Sequence, residues 1–147
     1  MVAHTILVAE DNEDDVLLLK RAFDRVHLDI DLRFVGDGEE GIAYMQGTGH
    51  YSKRSDFPIP HLILTDLKMP KVNGFDFLSW LREHAESQCT PVVVLSSSGD
   101  RNDINRAYKI GANSFLTKPM ALGDLEELVQ TLHHYWLTLN QFPDPCL

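Results

Sequence analysis

Apolar positions along the chain fall into two alternating kinds of run. "TILVA" (5–9) is short and continuously apolar, and 13–26 then repeats Val16, Leu19, Ala22, Phe23 and Val26 at helical spacing. "DLRFV" (31–35) alternates as a strand does, and "GEEGIAYM" behind Asp37-Gly38 predicts a short helix. "HLILT" (61–65) predicts a buried strand, and 74–86 a helix carrying Phe75, Leu78 and Leu81. "PVVVLS" (91–96) is almost entirely β-forming, and 100–111 predicts a mostly polar helix ended by Gly111. "SFLT" (114–117) is a fifth strand; Leu122, Leu125, Leu128, Val129, Leu132 and Trp136 predict a long last helix. Repeated strand–helix alternation, with strands that mostly lack polar alternation, implies an α/β fold with a parallel sheet covered on both faces. One connection, 46–60, is longer than such a fold needs.

That pattern also says where chemistry collects. An open α/β sheet binds ligands beyond the carboxyl ends of its strands. Here the first strand runs into Glu10-Asp11, the third into Asp66, the fourth into Ser96-Ser97-Ser98 and the fifth into Lys118-Pro119. The second delivers only Gly36-Asp37-Gly38, a turn. Crowded carboxylates repel and call for a proton or a cation. Hard oxygen ligands in a compact site suit Mg²⁺. With a lysine and a serine hydroxyl added, the inventory matches what a phosphoryl group requires, and an aspartate can attack phosphorus to form an acyl phosphate. Glu10 and Asp11 could instead cap the first helix, but a cap would not bring Asp66 and Lys118 to the same edge. Of the seven histidines, the adjacent His133 and His134 lack the i, i+4 spacing that lets a helix chelate zinc.

Composition narrows the class. A chain of 147 residues predicts one domain, with a core over about 5–139 and a short tail over 140–147. A net charge of −9 argues against nucleic acid as a direct partner, because phosphate neutralisation needs clustered lysine and arginine. No apolar run reaches the length of a membrane span, and no basic segment leads into an apolar one at the N-terminus. A cytoplasmic location is therefore expected, with Cys89 and Cys146 as reduced thiols.

"ILVAEDNEDD", "LILTDLKMPKVNGFDFL", "PVVVLSSS" and "NSFLTKP", in that order, resemble the receiver domains of two-component response regulators over about Thr5 to Leu139. The resemblance implies a flavodoxin-like (βα)5 fold, doubly wound, with strand order 2-1-3-4-5. It implies Asp66 as phosphoacceptor, and Mg²⁺ held by Asp11, Asp66 and the backbone carbonyl of Lys68, with Glu10 acting through water. Lys118 would pair with the phosphoryl group, the Ser97 N–H would complete its cradle, and Ser96 and Phe115 would be the switch pair. A cis Lys118–Pro119 bond is implied as well, and Lys68 stands where phosphate lifetime is tuned. Such a protein takes its phosphoryl group from a sensor histidine kinase and catalyses its own phosphorylation and dephosphorylation, without being a dedicated enzyme. The 46–60 connection, "MPKVNGFDFL", the serine run and the extended last helix are similar to the stand-alone regulators associated with bacterial phytochromes, which implies a phytochrome-type kinase. Tyr135, Trp136, Leu137 and Leu139 exceed what one stripe over the sheet requires. A two-fold homodimer through the face of the fourth helix, fifth strand and fifth helix is expected, with Trp136 near its centre.

Other classes fit less well. A haloacid-dehalogenase-type phosphatase needs an acid two residues after its nucleophile, where Lys68 stands. "EDNEDD" would repel the phosphate of a flavin cofactor. A pseudo-receiver that only binds partners would be expected to lack part of the site, and nothing is missing.

Overall fold

The computed structural model describes residues 4–143. Strands β1 (His4–Ala9), β2 (Ile30–Val35), β3 (Leu62–Thr65), β4 (Val92–Ser96) and β5 (Ser114–Thr117) form one parallel sheet in the order 2-1-3-4-5, as the resemblance implied. Between and after them run α1 (Glu13–Arg25), α2 (Gly38–Gln46), α3 (Gly74–Glu83), α4 (Arg101–Ile110) and α5 (Leu122–Leu132). The last helix continues into a π-helical segment, His133–Leu139.

Because successive strand residues point to opposite faces, the sheet separates two cores. Leu7, Ile63, Val92 and Val94 pack with Tyr44, Phe77, Leu78, Leu81 and Ala107, which places α2, α3 and α4 on one face. Ile6, Val8, Leu64, Val93 and Leu95 pack with Leu19, Phe23, Leu125 and Val129, which places α1 and α5 on the other. Four helices start on side-chain caps: Asn12, Asp37, Asn73 and Asp100 accept the N–H groups of Asp15, Glu40, Asp76 and Asn102. Asn12 therefore does for α1 what Glu10 or Asp11 would otherwise do, and both acids are left to the sheet edge.

Helix α3 stops at Glu83, short of the expected residue 86. His84 turns extended at φ −108°, ψ 132°, and side chains take over the freed carbonyls: Ser87 Oγ donates to Leu81 O (2.8 Å), and His84 Nδ1 lies 2.7 Å from Trp80 O. Arg82 closes the same corner, with Nε donating to Gly111 O (2.9 Å), Nη1 to Thr90 O (2.8 Å) and Nη2 to Asn113 Oδ1 (2.9 Å). It ties the turns that lead into β4 and β5.

The 46–60 connection is a packed unit rather than a slack loop. Arg54 donates to the carbonyls of Tyr44 (2.7 Å) and Met45 (2.6 Å) at the end of α2, and the Tyr44 hydroxyl donates to Pro58 O (2.8 Å). The rings of Tyr44, Tyr51 and Phe57 cluster with centroids 5.1–6.1 Å apart, and the Tyr51 hydroxyl donates to Glu40.

Two expectations are corrected. The Lys118–Pro119 bond is trans, like every peptide bond among the described residues. Lys118 reaches its partners in that isomer, and trans is the lower-energy form by about 0.5–1 kcal/mol. Cys89 is disulfide-bonded rather than a reduced thiol, on an exposed turn between α3 and β4; Cys146 lies outside the described residues. At the start of the tail, Phe142 packs against the α1/α5 core and against the rings of His4 (5.6 Å) and His61 (5.5 Å).

Candidate functional site

The carboxyl ends of β1, β3, β4 and β5 converge on one point, and backbone bonds fix each contributor. The Glu10 N–H donates to Val35 O (3.0 Å) and that of Asp66 to Ala9 O (3.0 Å), while the Lys118 N–H donates to Ser96 O (2.8 Å). The loop after Asp66 folds back so that the Gly74 N–H donates to Leu67 O (2.9 Å). At Gly74 a Cβ would fall 1.9 Å from the carbonyl oxygen of Asp66 and 2.7 Å from Leu67 Cα. Only a residue without a side chain allows α3 to start this close to Asp66.

The Asp66 carboxylate is oriented at both oxygens. Oδ1 accepts the Leu67 N–H (2.6 Å) and Oδ2 accepts Lys118 Nζ (2.8 Å). The same ammonium donates to Glu10 Oε1 and to Asp15 Oδ2 (2.9 Å). Burial alone would pull the Lys118 pKa down; the hydrogen bonds it donates to Asp66, Glu10 and Asp15 outweigh that and hold the pKa above the usual lysine value. Glu10, 5% exposed, is pushed up to about 7, first by burial and then by the charge of Asp66, against the lowering pull of Lys118.

Glu10, Asp11 and Asp66 each offer a carboxylate oxygen, all within 4.8 Å of one another. Asp11 is exposed, so the cluster opens to solvent on one side. An all-oxygen donor set with an open side fits a hard divalent cation that keeps some of its water. Lys68, two residues beyond Asp66, has an exposed side chain.

The serines divide. Ser96 is buried and its hydroxyl accepts the Ser98 N–H (3.2 Å), whereas Ser97 is exposed and shares with Asp66 and Lys118 the lining of a cavity of about 340 Å³. Ser98 makes a strand-to-helix turn, its hydroxyl accepting the Asp100 N–H (3.3 Å). Phe115 is half-buried against the α2–α4 core. The cavity lies on the opposite face, walled by Val8, Leu64, Leu95 and Leu125.

Sequence reasoning missed Asp15. As the third residue of α1 it stands where a helix's first turn commonly carries an acid, and its N–H is the one Asn12 caps. Its carboxylate reaches across to Lys118 instead of back to the cap. The run "EDNEDD" contains the signal, an acid one helical turn beyond Asp11, but not its target.

The family model of the response regulator receiver domain matches residues 6–130. Response regulator Rcp1 of Synechocystis is 33% identical over 138 residues, 94% of this chain and 92% of that protein. Its Mn(2+)-bound form has been solved, and that structure superposes with a TM-score of 0.83 at 32% identity, covering 95% of this chain and 99% of that one. Response regulator RPA3017, in red light signaling of R. palustris, gives a TM-score of 0.90 at 37% identity, covering 95% and 98% of the two chains. The phosphorylated cyanobacterial phytochrome response regulator RcpA gives 0.88 at 31% identity, covering 97% and 100%.

Proposed function

This chain belongs to the response regulator receiver family, whose members take a phosphoryl group from a sensor histidine kinase onto an aspartate and bind a divalent metal, and on that premise we propose that Asp66 is the acceptor. One observation carries the assignment: Lys118 and the acidic cluster converge on Asp66, whose two oxygens are held by the Leu67 N–H and the Lys118 ammonium. In the transfer, an Asp66 oxygen attacks phosphorus, the P–N bond of the donor phosphohistidine breaks, and the imidazole leaves with the bonding pair. Lys118 neutralises a phosphoryl oxygen, the Ser97 N–H donates to another, and the Ser96 hydroxyl turns from Ser98 toward the new group. Asp11, Asp66 and the Lys68 carbonyl would hold Mg²⁺, with Glu10 through water; bound there, the ion supplies positive charge to the phosphoryl oxygens. Phe115 follows Ser96 as the second member of the switch. After incubation with acetyl phosphate and Mg²⁺, peptide mapping by mass spectrometry is expected to find a single phosphoryl group, on Asp66; a group on any other residue would remove the assignment.

Metal binding will depend on pH through Glu10. Its carboxyl, raised to about 7, must be ionised to add charge to the cation site. Affinity for Mg²⁺ will therefore fall as pH drops below about 7, with a fraction of a proton up to about one released per ion near pH 6 and almost none above pH 8. Titration calorimetry in buffers of different ionisation enthalpy measures this release directly. The metal-free fold follows the same proton: folded Glu10 holds it more tightly than the unfolded chain, whose pKa is near 4.5. This group's contribution to stability is full below 4.5 and is lost as pH rises through about 7. Affinity that is flat between pH 6 and about pH 8 would contradict the assignment of Glu10.

The similarity to RPA3017 and RcpA supports a phytochrome-type sensor kinase as donor, in the cytoplasm, with residues 1–147 acting as one receiver domain. Among the described residues no helix is long and apolar enough to cross a membrane. Assembly is read as a two-fold homodimer through α4, β5 and α5. Tyr108, Tyr135 and Leu139 are 49%, 52% and 58% exposed, which is apolar surface an interface would cover. Trp136, expected at the centre of that face, is half-buried against its own α1/α5 core and stands edge-on to Tyr135 (5.0 Å). Sedimentation at micromolar concentration is expected to give a dimer that Tyr135→Glu with Leu139→Glu dissociates; a monomeric wild type, phosphorylated or not, would remove the reading.

A further inference from the structure

Lysine has three N–H donors, and in Lys118 all three are taken, by Glu10, Asp15 and Asp66. A phosphoryl oxygen arriving at Asp66 finds no free donor on the ammonium, so one of these bonds must open. The three acceptors are not equivalent. Glu10 is 5% exposed and Asp66 11%, so release at either would expose little of the group to bulk water. Asp15 is 40% exposed and stands on the first turn of α1, where water replaces the lost bond. Room for the exchange exists, because Asp15 and Lys118 line the same cavity of about 340 Å³ together with Asp66 and Met120.

From this geometry we infer that Asp15 is a positioning residue that occupies one of the three donors of Lys118 until a phosphoryl oxygen displaces it. Asp15 touches neither the phosphoryl group nor the reacting aspartate and acts through the ammonium it occupies. Its carboxylate competes with the phosphoryl group and lowers the affinity of the site for it. Its release also couples events at Asp66 to the first turn of α1. The inference rests on the reading of Asp66 and Lys118 as the phosphoryl site.

The test is binding of beryllofluoride, a phosphoryl mimic, by the full chain in saturating Mg²⁺. Asp15→Asn keeps the size and the Asn12 cap, which uses the backbone N–H, and removes the competing charge. It should bind beryllofluoride roughly 3- to 10-fold more tightly than wild type. In a Lys118→Gln background the same substitution should change nothing, because the group through which Asp15 acts is gone. Equal or weaker binding by Asp15→Asn overturns the inference, and so does an equal gain in both backgrounds, which would be a general charge effect. A ¹³C spectrum of labelled aspartate reads the exchange independently of affinity. On saturation with beryllofluoride the wild-type Asp15 carboxylate resonance should move to its position in Lys118→Gln, and a resonance that stays put overturns the inference. If wild type binds no beryllofluoride, or Asp66→Asn binds it equally well, the reading of the site itself fails and this inference falls with it.

Discussion

Asp66→Asn will remain folded and will take up phosphate on the order of 10³-fold more slowly, or not at all. The amide keeps an oxygen for the Leu67 N–H, which Asp66 Oδ1 accepts at 2.6 Å, so the loop into α3 retains its anchor. What it loses is the anionic oxygen that attacks phosphorus, and an amide cannot form the acyl phosphate. Lys118 keeps Glu10 and Asp15 as partners and is not stranded. Removing the Asp66 charge also lifts one of the influences that raise the Glu10 pKa, which moves back toward the ordinary carboxylate value. Thermal unfolding run beside acetyl phosphate labelling separates the two effects. Stoichiometric labelling of a folded Asp66→Asn protein would mean that another residue is the acceptor.

Gly74→Ala is the second large effect, and it acts on stability and chemistry together. The added methyl would meet backbone, at 1.9 Å from the Asp66 carbonyl oxygen and 2.7 Å from Leu67 Cα, and backbone cannot rotate away as a side-chain tip can. The start of α3 must shift, at a cost of about 2–4 kcal/mol. For a domain of this size that is a loss of roughly 10 °C in Tm. Because the obstructing atom belongs to Asp66, the carboxylate moves with it and phosphorylation slows as well. Gly123, whose Cβ would meet nothing within 4 Å, supplies the control: Gly123→Ala should leave both properties close to wild type. A Gly74→Ala protein with wild-type Tm and labelling rate would show that the loop after Asp66 is far more compliant than its packing indicates.

The sheet and the edge where chemistry gathers were legible because each depends on local pattern. Continuous apolar runs marked β1, β3 and β4, "SFLT" gave the fifth strand, and the residues just past these strands had to stand at the carboxyl edge of a parallel sheet. Glu10, Asp66 and Lys118 meet for that reason. Asp15 was not legible, since it belongs to a helix's first turn and its direction is set by the cap at Asn12, which pattern alone does not orient. Arg82 was equally hidden: a guanidinium that closes two turns across β4 looks in sequence like one more surface charge on α3. The early end of α3 has the same origin, because the groups that satisfy its last carbonyls come from side chains beyond it. Phe142 was equally hidden, because the rings of His4 and His61 against which it packs lie far from it in sequence.

Arg54 has one more consequence, for how the molecule breathes. Helix α2 has no basic residue in its last turn, so the carbonyl end of its dipole is met by a cation from outside the helix. When Arg54 leaves, the helix end loses its donors, and Tyr44 loses an anchor of the segment on which Tyr51 and Phe57 stack. Neither half can open by itself. In native-state hydrogen exchange, the amides at the end of α2 and those of the ordered connection will share one opening free energy and one denaturant dependence, as a single cooperative unit beside the sheet.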